Sequence, residues 1–146
     1  MNFGRVAAAA VVAWIVSLPV GFVINNFLLA GVHAANQAAM RPQAALTTKL
    51  PFGFVFLLLG FFAFAYMYAK GYEGGSGVGE GLRFGLCAGF LITGFGIVWQ
   101  YVMYPITGSM ATALMIDSIA EATLYGAIVG AIYKPAARVV RQPATV

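Results

Sequence analysis

Long apolar runs, broken by short polar or glycine-rich stretches, organise this chain. Four runs cover residues 6–29, 50–69, 80–103 and 109–133. Each reaches the ~20 residues that a helix needs to cross a bilayer core. The interruptions fall at 31–49, at the glycine-rich 70–79 and at the turn Tyr104-Pro105-Ile106-Thr107-Gly108. The pattern predicts an all-α integral membrane four-helix bundle, two antiparallel helical hairpins forming a single transmembrane domain over residues 1–146. Pro19 lies inside the first run and should bend it, because it donates nothing to the carbonyl four residues back. Ala34, Ala35, Ala38 and Ala39 favour helix, so the first helix is expected to run on toward Met40 and to stop before Pro42.

A finer pattern runs through the second half. Gly81, Gly85, Gly89 and Thr93 step by four, as do Ser118, Ala122, Gly126 and Gly130. Residues four apart lie on one helix face. Folding the chain at 104–107 pairs Gly81 with Gly130, Gly85 with Gly126, Gly89 with Ala122 and Thr93 with Ser118. Faces of small residues let membrane helices approach backbone to backbone.

Composition sharpens the class. The chain has 146 residues, 62% hydrophobic and 8% charged, whereas soluble domains carry about 25% charged residues. Mean hydropathy is +0.89. Four spans consume the chain and leave no room for a soluble domain, so any function sits within the spans, between them, or on a partner. The net charge of +4 does not point to nucleic acid, because the basic residues stand at the ends of the runs, where they orient spans and meet lipid head groups. Placing both termini inside puts Arg5, Lys70, Arg83, Lys134, Arg138 and Arg141 on the inner side, against Arg41 and Lys49 outside. This excess predicts cytoplasmic termini. Tyr66, Tyr68 and Lys70 read as an interfacial belt with a snorkelling lysine. The single cysteine, Cys87, reads as a small buried hydrophobe.

Ionisable groups inside spans are the default candidates for function. Asp117, Glu121 and Tyr125 follow at successive turns of the fourth run, beside the small-residue ladder. Glu121 falls near mid-span with no base at its depth. Its expected partners are Tyr125, Thr93, Gln100 or an asparagine of the first span. Three readings of the pair stand: a hydrogen-bonded clamp between helices, a proton- or cation-handling site, or an anchor for a polar group of a partner. Asn25, Asn26 and Gln100 are expected near the outer leaflet, bonding between helices. His33 lies just beyond them as an interfacial residue. Arg83 marks the inner start of the third span, within reach of Glu73, Glu80 or lipid phosphate. The glycines of 71–79 lack the Gly-Lys-Ser/Thr ending of a phosphate loop. No catalytic set appears. One histidine does not build a two-histidine haem site, and two carboxylates alone make a poor transition-metal site. The reading is therefore not an enzyme, with no metal and no cofactor.

The stretch from Tyr68-Ala69-Lys70-Gly71-Tyr72-Glu73-Gly74-Gly75 to Glu80-Gly81-Leu82-Arg83-Phe84-Gly85-Leu86, with the ending Ile132-Tyr133-Lys134-Pro135, resembles a group of small four-span bacterial inner-membrane proteins of unknown function. The resemblance implies four spans and a bacterial inner membrane, and brings no activity or site residues. The functional expectation is a non-catalytic accessory or structural membrane protein within a homo- or hetero-oligomer in the lipid bilayer. The alternative is a small proton- or cation-coupled transporter or channel subunit using Asp117 and Glu121.

Overall fold

The computed structural model describes residues 1–133. The Lys134-Pro135 stop and the basic positions Arg138 and Arg141 lie outside the described residues. The chain is all-helical, with no strand among the described residues. We label the helices α1 (Phe3–Leu28), α2 (Ala30–Ala35), α3 (Gln43–Gly71), α4 (Gly77–Met103) and α5 (Gly108–Ile132). All but α2 are long and apolar enough to cross a membrane. The basal end of the bundle carries the N-terminus, the connector between α3 and α4, and Tyr133. The distal end carries α2 and the turn between α4 and α5.

Side-chain oxygens start three of the four long helices. Asn2 Oδ1 accepts from the Arg5 amide at 3.2 Å, Ser76 Oγ from Gly79 at 3.4 Å and Thr107 Oγ1 from Met110 at 3.2 Å. Each satisfies an amide that the first turn leaves without a helical acceptor. The boundaries differ from the sequence reading in three places. α1 does not continue toward Met40: a π-helical turn, Ile24–Leu28, leads into Leu29, whose ψ of 2° breaks the helix. Ala30–Ala35 and a 3-10 turn, Gln37–Ala39, follow as separate pieces. α3 begins at Gln43 rather than at residue 50, so the supposed loop is partly helix. Thr47 and Thr48, one turn in, fit this polar start by bonding back to the Gln43 and Ala44 carbonyls. α4 begins at Gly77, because the Ser76 cap nucleates it three residues before Glu80.

The most extensive contact in the bundle is between α4 and α5. The expected neighbours Gly81 and Gly130, Gly85 and Gly126, and Thr93 and Ser118 do meet, but the glycines interleave, each of α5 seated between two of α4. Gly130 seats between Gly77 and Gly81, and Gly126 between Gly81 and Gly85. A methyl carbon added at Gly81 would overlap the Gly126 carbonyl oxygen, and one at Gly85 the Ala122 oxygen. At Gly89 it would stand 2.7 Å from Ile119 Cα. Beyond the glycines, the Thr93 and Ser118 hydroxyls bond across the interface at 2.9 Å. Gly77, read from sequence as part of a flexible connector, is thus a rung.

α1 packs on α3 and α5 through a stripe of Val6, Ala9, Ala10 and Ala13. Its small side chains leave room for the rings of Phe61, Tyr68, Tyr125 and Tyr133, which complete the core with Ala65 and Val129. α3 and α4 do not pack along their length. They meet through rings at the basal end, Phe64 on Phe84 at 4.8 Å and Tyr68 on Phe84 at 5.6 Å between centroids. Tyr68 is only 2% exposed and donates to the Gly77 carbonyl at 2.8 Å. It is a buried strut between α3 and α4, not a member of an interfacial belt. Tyr66 does remain outside, with Lys70 Nζ 5.7 Å from its ring centre. At the distal end, buried Asn36 donates to the Val32 carbonyl at 2.8 Å and accepts from the Thr107 amide at 2.9 Å.

Gly85→Leu and Gly126→Leu should each destabilise the bundle by at least the ~1–3 kcal/mol typical of overpacking, because backbone is what the new side chain meets. Gly53→Leu, whose new side chain meets nothing within 4 Å of its Cβ, should be close to neutral. Unfolding of the three variants in mixed micelles reads the difference, and equal stabilities would contradict the backbone contact.

Candidate functional site

Asp117, Glu121 and Tyr125 sit on consecutive turns of α5. Glu121 lies about 20 Å along a helix of about 36 Å, at 1.5 Å per residue, so it stands near mid-depth. Tyr125 is 7% exposed, and its hydroxyl donates to Glu121 Oε1 at 2.8 Å. Phe61 of α3 holds the Tyr125 ring edge-on, with centroids 5.1 Å apart. Glu121 and Asp117 are half-buried. Of the partners considered for Glu121, the structure brings Tyr125. Thr93 is committed to Ser118, and Gln100 is exposed on α4.

Two clefts meet at Glu121. The first, about 270 Å³, opens between α3, α4 and α5. Leu57, Phe61 and Phe64 wall it on one side, Ile92 and Ala122 on the other, and Gly60 leaves it wide. The second, about 570 Å³, runs between α1 and α3 past Ser17, Leu50 and Phe54 to Asn25 and Asn26. Leu57, Glu121 and Tyr125 border both. Among the described residues, neither lining contains a lysine, arginine or histidine.

The polar residues of α1 bond to their own helix. Asn25 donates to the Gly21 carbonyl at 2.8 Å and Asn26 to that of Phe22 at 2.9 Å. Ser17 donates to the Trp14 carbonyl at 2.7 Å. The expected bonds between helices do not form at these asparagines, because both are exposed and the carbonyl one turn back is the nearest acceptor. His33, on α2 where it packs against α5, stands within electrostatic range of Asp117 and beside a distal cleft of about 560 Å³ that Gln37, Arg41 and Gln43 also line. Its Nε2 is buried without a hydrogen-bond partner.

The basal groove, about 300 Å³, brings together Glu73, Glu80, Arg83 and Cys87. Glu80 is 8% exposed and turns back over the connector, where its carboxylate accepts from the Glu73 amide at 3.0 Å and from the Gly75 amide. The connector can fold over it because Gly74 adopts φ +97°, a conformation open to glycine. Glu80 therefore organises the turn in place of pairing with Arg83, which is exposed. Cys87 is also exposed, contrary to its reading as a buried hydrophobe. Among the described residues, no three His, Cys, Asp or Glu side chains gather so as to hold a metal ion.

Sequence reasoning missed Leu57, Gly60 and Phe61 as cleft walls, and Asn36 and Glu80 as organisers. A glutamate in the first turn after a glycine run signals Glu80; the phenylalanines of α3 are too continuous to mark one face. No protein family, no curated protein and no solved structure matches the chain. The fold and the cleft therefore define its class: a multi-pass helical membrane protein with a carboxyl at mid-depth in an apolar cleft.

Proposed function

We propose that the chain is a non-catalytic accessory protein of a bacterial inner membrane, a subunit of a larger homo- or hetero-oligomeric assembly with both termini cytoplasmic. The observation that carries this reading is the exposure of Asn25 and Asn26. They border the same cleft as Leu50, beside Lys49 at the distal rim of α3. Their Oδ1 atoms take no part in the bonds to their own helix, which leaves two amide acceptors open on the outer surface of the bundle at this rim. A neighbouring membrane helix with a donor side chain would satisfy them. Arg5, Lys70 and Arg83 at the basal end support the orientation.

Mass measurement of the intact chain, extracted from its membrane in native nanodiscs, should find more than one copy or an additional chain. The double substitution Asn25→Leu with Asn26→Leu should release a folded single copy. A single copy for the unsubstituted chain would contradict the reading.

A second reading, a proton- or cation-coupled transporter subunit, draws support from the position of Glu121 where the two clefts meet. In proteoliposomes, Glu121→Gln should then abolish ion flux while leaving the fold intact. Flux unaltered by that change, or absent from the unsubstituted protein, would exclude it.

A further inference from the structure

We propose that the cleft between α3, α4 and α5 binds a lipophilic organic cation: one quaternary or protonated ammonium centre on an apolar body, held against the Glu121 carboxyl and the rings of Phe61, Phe64 and Tyr125. This inference goes beyond membership of an assembly and rests on four features of the cleft.

The first is unmatched charge. Tyr125 donates to Oε1 of Glu121, and among the described residues no lysine, arginine or histidine borders either cleft. A half-buried carboxylate facing an apolar cleft is costly without a cationic partner, so a cationic occupant supplies what the cleft lacks. The second is the aromatic wall. Ring faces attract ammonium centres, quaternary ones above all. Phe61 is fixed against Tyr125 at 5.1 Å and Phe64 against Phe84 at 4.8 Å, so both rings are held before any ligand arrives.

The third feature is access. α3 and α4 meet through rings at the basal end and not along their length. The cleft is therefore reached from the lipid side, the phase in which an apolar body concentrates. The fourth is selectivity by ligand type. A hard inorganic cation takes about six oxygen ligands. The cleft offers the Glu121 carboxyl and a Ser118 hydroxyl that already bonds Thr93 and the Met115 carbonyl. A lipid acyl chain would fill the volume and leave the carboxyl unmatched. At about 270 Å³ the cleft holds an ammonium head and its nearest carbons, with the remainder of the body emerging between α3 and α4.

The test uses the full chain in phosphatidylcholine nanodiscs and radiolabelled octyltrimethylammonium, with empty nanodiscs measuring partition into lipid. Saturable binding of one molecule per chain is expected above that background, with unlabelled octanol failing to compete. Glu121→Gln, which keeps the shape and the acceptor for Tyr125, should weaken binding by at least ~10-fold. Gly60→Phe should abolish it by filling the cleft, since an added Cβ there meets nothing within 4 Å and the fold can accept the ring. No saturable binding, competition by octanol, or undiminished binding by either folded variant overturns the proposal. If Glu121→Gln does not fold, Gly60→Phe decides alone. Binding does not require ion flux or assembly, so those readings and this one fail separately.

Discussion

The close approach of α4 and α5 is the constraint on which the rest of the bundle depends. Gly77, Gly81, Gly85 and Gly89 on one side, and Ala122, Gly126 and Gly130 on the other, leave no side chain between the two backbones. Such a contact tolerates neither sliding nor rotation, because any shift drives a Cα or carbonyl into its neighbour. Locking the rotation of α5 decides where its other faces point. With the small face turned to α4, Tyr125 and Glu121 are turned toward α1 and α3, and Tyr125 joins the core that those helices share.

From that rigid pair the structure loosens with height. The basal end is closed by a network of rings, in which Tyr68 packs against Tyr72, Phe84 and Tyr133. The bond from Tyr68 to the Gly77 carbonyl ties α3 to the start of α4. Above this closure α3 leans on α1, and Trp14 reaches across to the Phe54 carbonyl at 3.2 Å. Nothing comparable joins α3 to α4 higher up. The cleft at Glu121 is what this divergence leaves at mid-depth. Both π-helical turns, Ile24–Leu28 and Thr93–Ile97, lie in the distal parts of their helices; the first ends α1, and the second shifts the face that α4 presents from Val98 to Met103.

How far the sequence discloses this structure depends on the range of the interaction. The four spans and the two ladders are local periodicities, and a count of residues recovers them. Gly77 escapes such a count because its neighbours are also glycines, and only the Ser76 cap separates loop from helix. Asn36 and Thr107 are joined across 71 positions, with no local signal at either. Tyr68 looks like an interfacial tyrosine by position, and becomes a strut only because the first turn of α4 presents it with a carbonyl. The Asp117, Glu121 and Tyr125 stripe is visible as two successive steps of four in one helix. The cleft around it belongs to three helices at once, and no single segment encodes it.

The register of α4 against α5 is the central claim, and a cysteine pair measures it directly. In a Cys87→Ser background, Thr93→Cys with Ser118→Cys replaces two hydroxyls that stand 2.9 Å apart. Thr93→Cys with Ala122→Cys places the second thiol one turn away. Under mild oxidation the account predicts an intramolecular disulfide in the first pair and little in the second. Equal yields, or a preference for the shifted pair, would contradict the interleaved contact and with it the placement of Glu121.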